Sequence, residues 1–593
     1  MINSRVLRLS AWVALVLVLV AALPARPSFA QAGNSPLPAA RLESFAYGAA
    51  AGDLTSDSVV LWTRTPGAAS VSAELAASET FENLTVLPAV PTTAATDFTV
   101  KIMATGLQPG TQYYYRFKAD GAVSPVGIFK TPYAPDQDAA VTFAFSGDAN
   151  WKWKPYPLLN SLMQEKLDFF LFLGDLIYET TDLAGKTSVE DLEGYRWKYR
   201  ENREPRAGSP ANGLNPMLAL YGKYGQYSIF DNHETGLSRA AKNAPSYNEG
   251  GAKAGETFVN QTEGFKARLQ AYREYQPVRE AMVSGTGDAR ADGTDKFYRS
   301  VSWGANVQLI IVDDRSYRDR RMAKSDDPAT LRCDRTMLGA AQMQWLQGEL
   351  LAAKQRSVTW KVIVVSSPMQ QLGKASQVGA DLDSGKSWPG GYLCERNKLL
   401  AFIDSNALDN VVFLTTDNHY TVINNLLYNP VPDNPQSPLK RTRNAFEILT
   451  GPIGAGAGNP LSSAVDIQGL ARREADRKIL DVWNGDAPNK DGKLQGLKQA
   501  GLDPIGLEPD FPGLDTASVS ATGTPTGQVV PLDFASFNTY AYVVLTFDKT
   551  HLSVTAKGFP IVRDPATLHN ADTLKEYESR KAEEIFHFRV QAQ

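Results

Sequence analysis

Two cysteines occur in 593 residues, Cys333 and Cys394, and no histidine lies near either. A metal site built on that pair would lack its other ligands. In an oxidising compartment an even pair suggests one disulfide, with two buried thiols as the alternative. A basic excess is also missing. Lys and Arg number 60 against 64 Asp and Glu, a net charge of −4, which argues against a nucleic-acid binder. Beyond the N-terminus no stretch reaches the ~20 apolar residues that a membrane span requires. Histidine is scarce, with five in the chain. Core-forming residues are plentiful: 43% of the chain is apolar and 21% charged. That composition excludes a disordered chain, and the length suggests roughly two to four domains.

The first thirty residues read as a signal peptide. Arg5 and Arg8 form a basic start, Ala11–Leu23 an apolar stretch, and Ser28-Phe29-Ala30 a small-x-small cleavage site before Gln31. The apolar stretch is too short to span, which speaks against a retained anchor. Arg5 and Arg8 are not adjacent, so a twin-arginine signal is not supported. The expected location is periplasmic or secreted. Residues 31–42 form a Pro/Ala-rich tether. From 43 to 132, short alternating segments with turn signals indicate a β-sandwich: Ser58–Thr63, Ser70–Leu75, Asp97–Ala104, Gln112–Lys118 and Val123–Lys130. Within it, Leu107–Tyr113 matches a tyrosine corner, in which the Tyr113 hydroxyl bonds back to the upstream backbone.

An α/β region occupies 139–593. Asp182–Gly225 and Leu237–Gly293 interrupt it, and inserts this long between strands commonly form lids or pocket walls. Met337–Lys354 is amphipathic, with Leu338, Met343, Leu346, Leu350 and Leu351 on one side, and it feeds the strand Trp360–Ser366. Leu399–Asn406 feeds Val411–Thr415 in the same way. Residues 484–526 read as a surface excursion, and Tyr540–Phe547 with Leu552–Gly558 as antiparallel edge strands.

Chemistry-bearing residues sit where apolar runs stop. Phe169–Leu173 is followed by Gly174-Asp175-Leu176-Ile177-Tyr178-Glu179, and such strand ends are where α/β folds place their chemistry. Val141–Asp148, Tyr227–Glu234 and Val411–His419 repeat the design. A carboxylate at Asp175 with a phenol at Tyr178 can grip a hard trivalent cation through two anionic oxygens. Ser146-Gly147-Asp148 alone would pass for a plain turn. Asp231-Asn232-His233-Glu234 and Thr416-Asp417-Asn418-His419 are more distinctive, since they hold two of the five histidines.

These blocks, in this order, resemble the calcineurin-like metallophosphoesterases, and within them the alkaline phosphatase D family. Further segments similar to that family are Gly52-Asp53, Leu61-Trp62-Thr63-Arg64, Tyr272–Arg279, Phe297-Tyr298-Arg299-Ser300, Asp313–Arg318, Leu338-Gly339 and Gln344-Trp345-Leu346. The likeness runs from about residue 43 to 558. It implies an α/β fold class: an immunoglobulin- or fibronectin III-like N-terminal β-sandwich, then an α/β/β/α metallophosphoesterase domain with helical insertions. It also implies a secreted hydrolase of phosphoric monoesters or diesters.

Residue by residue, the resemblance makes Asp175 a bridge between two cations. Asp148, Tyr178 and His419 complete a site suited to Fe³⁺. Asn232 and Asp417 complete an oxygen-rich one suited to Ca²⁺, with Mg²⁺, Mn²⁺ or Zn²⁺ as alternatives. Two cations would neutralise an anionic ester and generate hydroxide near pH 7. His233 would protonate the leaving group, oriented by Glu234, and Arg315 with Arg318 would grip phosphate oxygens. A salt bridge from these arginines to Asp313, Asp314 or Asp319 is the competing reading. Trp151, Trp153, Tyr156, Trp197 and Tyr199 are candidate pocket linings.

The chain departs from the family in three places. Asp148 stands where the family usually has cysteine, Asn232 where it has Asp, and Val365–Met369 lacks the superfamily's histidine. The substrate is a small-molecule or lipid phosphoester. A phospholipase D-like diesterase and an inactive surface-binding protein are the alternatives.

Overall fold

The computed structural model describes residues 44–182, 186–206, 215–237, 258–320, 332–370, 388–432, 437–456, 506–508, 510–521 and 534–593. The expected signal peptide and tether lie outside the described residues, as does most of 484–526.

Runs such as Phe169–Phe172 and Val411–Thr415 have no polar face to give to water, so they form strands covered on both sides. Two large sheets result. In the ten-stranded one, Val141–Ser146, Phe169–Phe172 and Gln226–Ser228 run parallel, with Phe169 opposite Phe143 and Phe170 opposite Gln226. Thr539–Phe547 pairs antiparallel with Val141–Ser146, and His551–Pro560, Glu583–Gln591 and Leu514–Ala521 continue to that edge. The seven-stranded sheet has the order Arg299–Trp303, Val307–Ile311, Trp360–Val364, Val411–Thr415, Lys440–Leu449, Thr421–Tyr428 and Ala535–Ser536.

The sheets face one another across an aromatic layer. Phe143 and Phe169 stack at 4.5 Å, Trp303 lies 4.6 Å from Phe169, and Trp360 lies 5.7 Å from Phe547. The two-residue period of a strand then sorts the seven-stranded sheet. Leu309, Val362, Val364, Val412 and Leu414 point into this layer. Ile310, Ile363, Val411 and Phe413 point outward, under the helices Gly339–Gln355 and Leu393–Ser405. The first of these helices buries Leu346 and Leu350 as expected, but Met343 and Leu351 are only partly covered. Gln342 holds the buried position instead, its amide exchanging hydrogen bonds of 2.7 Å with the backbone N–H and carbonyl of Asp313. Cys333 and Cys394 are joined as a disulfide with Cα atoms 5.1 Å apart. Among the described residues no helix is long and apolar enough to cross a membrane.

The N-terminal region is rich in strands, but it is not self-contained. Ala49–Thr55 lies parallel to Gln226–Ser228 through Gly52 and Gln226, so Ala49–Thr55, Ser58–Arg64 and Thr99–Thr105 extend the ten-stranded sheet. Thr85–Pro91, Ser70–Ala76, Gln112–Ala119 and Ala122–Val123 form a separate sheet, with Gly127–Lys130 paired to Gln112–Ala119. The tyrosine corner is present: the Gln108 N–H donates to the Tyr113 hydroxyl at 2.9 Å.

Candidate metal centre

Strand ends from the two sheets converge on one point. The Asp148 N–H donates to the Gly174 carbonyl at 3.1 Å, and the Ala149 N–H to the Asp175 carbonyl at 2.7 Å. From the other sheet, the Thr416 N–H donates to the Ser366 carbonyl at 3.1 Å. The Thr416 hydroxyl crosses to the Asp148 carboxylate. Glycine is required where the loops touch. A Cβ on Gly174 would lie 2.6 Å from Cβ of Asp231, and one on Gly451 would lie 2.6 Å from the Asp148 carboxylate. Four residues here carry side chains in left-handed backbone: Asp148 (φ 63°), Asp175 (50°), Asp417 (77°) and His419 (55°). Each costs about 1–3 kcal/mol, a concentration of strain typical of ligand clamps.

Two groups of ligand atoms result, each within 4.8 Å: Asp148, Asp175 and His419, and Asp175, Asp231 and Asp417. Asp175 belongs to both, as a bridging carboxylate must. The Tyr178 hydroxyl lies 2.9 Å from Nε2 of His419, close to the roughly 3 Å that separates neighbouring ligands of one octahedral ion. Nδ1 of His419 faces the Gly456 carbonyl at 2.6 Å. Donating there commits the hydrogen to Nδ1 and leaves Nε2 free to ligate.

The charge balance of this donor set fits cations. Burial raises the Asp175 carboxyl well above the usual range, and the Asp231, Glu234, Asp148 and Asp417 carboxylates add to the rise. Carboxylates packed this closely need positive charge between them to remain ionised.

Besides the expected Asp417, the second group holds a carboxylate that the sequence did not mark, Asp231. Asn232 is buried next in sequence, at the first turn of the helix Asn232–Thr235. Asp231 is held from the opposite sheet. The Ser366 hydroxyl is 3.0 Å from its carboxylate and 2.8 Å from that of Asp314, and the Ser367 N–H donates to Asp314 at 3.0 Å. So the segment Val365–Met369 contributes a serine hydroxyl to the Asp231 carboxylate.

Three expected roles are corrected. Arg315 is fully buried, its guanidinium paired with Asp231 and 3.8 Å from Asp314, so it braces the cluster and has no face for a substrate. Arg318, also buried, donates to the Tyr392 hydroxyl at 3.0 Å. Glu234 does not orient His233. Its carboxylate accepts the N–H groups of Asp175 (2.9 Å), Leu176 (2.5 Å), Ile177 (3.3 Å) and Asp231 (2.8 Å). Glu234→Gln turns an amide toward those donors and should cost about 2–4 kcal/mol of stability, read from urea unfolding. Among the aromatic candidates, Tyr156 and Tyr199 are core residues, whereas Trp151 is half-buried and donates from its indole to the Thr180 carbonyl at 3.0 Å.

His233 sits beside the shared carboxylate. Its backbone N–H donates to Asp175 at 3.1 Å, its Nε2 lies 3.8 Å from the other Asp175 oxygen, and its ring packs 3.9 Å from that of Tyr178. Nδ1 meets the carboxylate of Glu179, a residue that the sequence did not mark. The one available signal was its place directly after Tyr178.

Comparison with known proteins gives the family. The family model for PhoD-like phosphatase matches residues 142–484, and that for its N-terminal domain matches 31–133. Alkaline phosphatase D of Bacillus subtilis (strain 168) is 30% identical over 411 residues, covering 64% of this chain and 65% of that protein. The match therefore spans just under two thirds of the relative's length. A solved structure of PhoD superposes with a TM-score of 0.64 at 23% identity, over 93% of this chain and 91% of that one. Purple acid phosphatase PPD1 from yellow lupin (Lupinus luteus) seeds shares the fold at a TM-score of 0.50 and 13% identity, over 93% and 74%. With more than half its length matched by the family model, and with both groups of metal-ligand atoms placed at the strand ends, the chain belongs to the PhoD-like phosphatase family.

Proposed function

We propose that the protein is a secreted, metal-dependent hydrolase of phosphoric esters. The observation that carries the reading is the pair of ligand groups sharing Asp175, with His233 beside the shared carboxylate. Asp148, Asp175, Tyr178 and His419 would hold one cation, and Asp175, Asp231, Asn232 and Asp417 the other. When bound, the cations would neutralise the phosphoryl charge and make an attacking water acidic enough to act near pH 7. The chain's own part is to orient and to move a proton: Nε2 of His233 donates to the leaving oxygen. Metal analysis of the purified protein, with a panel of mono-, di- and lipid phosphoesters, tests the reading. Hydrolysis of none of them under any metal would overturn it, and the panel decides between monoester and diester.

Phenolate and carboxylate donors favour Fe³⁺ in the first group, and the oxygen-only second group favours Ca²⁺, Mg²⁺ or Mn²⁺ over Zn²⁺. A phenolate-to-iron absorption band in the visible should be present and should vanish in Tyr178→Phe. A colourless, active, iron-free protein would reject iron. The remaining proposals rest on sequence: a leader at 1–30, an immunoglobulin-like sandwich at 43–132 and a catalytic region at 139–593. The disulfide suits the oxidising compartment such a leader would reach.

A further inference from the structure

We infer that Glu179 is a positioning residue: it holds His233 as the Nδ1–H tautomer and so aims Nε2 at the leaving group. The inference rests on the phosphoesterase reading above. The Glu179 carboxylate is fully buried and meets Nδ1 of His233, although one residue follows the strand Phe169–Phe172 and the other lies on the helix Asn232–Thr235. Its backbone is fixed independently. The Val189 N–H donates to the Glu179 carbonyl at 2.8 Å, and Thr180 bridges to Ser188. The imidazole packs against the Tyr178 ring at 3.9 Å, and the backbone N–H of His233 is anchored to Asp175 at 3.1 Å.

An imidazole has two nitrogens, and an acceptor at one of them decides which carries the hydrogen. With a carboxylate at Nδ1, the hydrogen stays there and Nε2 becomes the nitrogen that exchanges protons. That atom is 3.8 Å from the Asp175 carboxylate, on the side of the ligand cluster. In its acid form the ring carries hydrogen on both nitrogens; as the attacking oxygen bonds to phosphorus and the P–O bond to the leaving group breaks, the Nε2 proton passes to the leaving oxygen and the Nδ1–H tautomer remains. Nδ1 keeps its hydrogen on Glu179 throughout, and the proton released by the attacking water restores Nε2. Glu234, the other acidic neighbour in sequence, is occupied by four backbone N–H groups and cannot take this part.

The alternative is that Glu179 only braces the loop after Tyr178, and kinetics separate the two. In Glu179→Gln with metals retained, kcat on an alkyl phosphoester should fall roughly 10–100-fold with KM little changed. The fall on a nitrophenyl ester, whose leaving group needs no proton, should be smaller. Glu179→Gln combined with His233→Ala should be no slower than His233→Ala alone, because both changes remove one function. Equal losses on the two esters, a multiplicative double variant or loss of metal would overturn the inference. An independent readout is the imidazole ¹⁵N spectrum of protein loaded with diamagnetic ions. The neutral ring of His233 should be the Nδ1–H form and lose that preference in Glu179→Gln; a neutral Nε2–H form in the unsubstituted protein would overturn the inference. If that protein hydrolysed no phosphoester, the function would fall, while the spectrum would still decide the Glu179–His233 pairing.

Discussion

Asp175→Asn should reduce phosphoester hydrolysis to background and strip the protein of bound metal, while leaving a folded chain. Asp175 is the one carboxylate common to both ligand groups, so its amide weakens both cations together. The fold should survive because the backbone of Asp175 is held by Glu234, whose bond to the Asp175 N–H does not involve the side chain. Metal-free protein should even gain from the change. Burial and neighbouring carboxylates raise the Asp175 pKa in the folded state. A group raised on folding contributes stability that is present below its unfolded pKa, about 3.9, and is lost as pH rises through the folded value. At neutral pH the metal-free parent therefore carries repulsion that the asparagine variant lacks. Thermal melts with and without added metal check both points. The parent should shift with metal and the variant should not; full turnover or full metal content in the variant would reject the bridging role.

The second large effect is at His233. His233→Ala should keep both cations and lose roughly 10²–10⁴-fold in rate, the usual worth of a general acid. Metal is expected to stay because neither ligand group includes this side chain. The loss should be steeper for alkyl esters than for nitrophenyl esters, since an alkoxide leaves poorly without a proton. Equal losses would leave charge stabilisation as the role. Loss of metal would make His233 a ligand, and the centre would have to be redrawn.

How far the sequence could lead depended on whether a role is set locally. Asp148, Asp175, Asp417 and His419 were legible because each follows an apolar run directly, and a strand end fixes where its next residues go. Asp231 was passed over because its block already offered Asn232, and sequence alone does not say that the Asp231 carboxylate also comes close to those of Asp175 and Asp417. That carboxylate is held from the opposite sheet, where Ser366 and Arg315 engage it. The contact to His233 expected of Glu234 is made by Glu179 for a similar reason. Residues adjacent on a helical turn diverge, so Glu234 points away from His233, and the carboxylate that reaches the imidazole arrives from another loop. For Arg315, a guanidinium near two aspartates fits both phosphate binding and an internal ion pair. Only its complete burial decides. The N-terminal strands were recognised as strands by their alternation, but nothing local announces that Gly52 will find Gln226 as its partner.

That last pairing, taken with the one at the other flank, has a consequence for the order of assembly. Val141–Ser146, which delivers Asp148, is paired on one side by Thr539–Phe547, with Phe145 opposite Val543. Ala49–Thr55 waits for Gln226–Ser228. The large sheet therefore cannot close until nearly the whole chain has been synthesised, and its early strands have open edges until then. Such a polypeptide is slow to become compact while it is being made. Truncation at either flank would therefore remove a neighbour of the strands that carry the candidate metal centre.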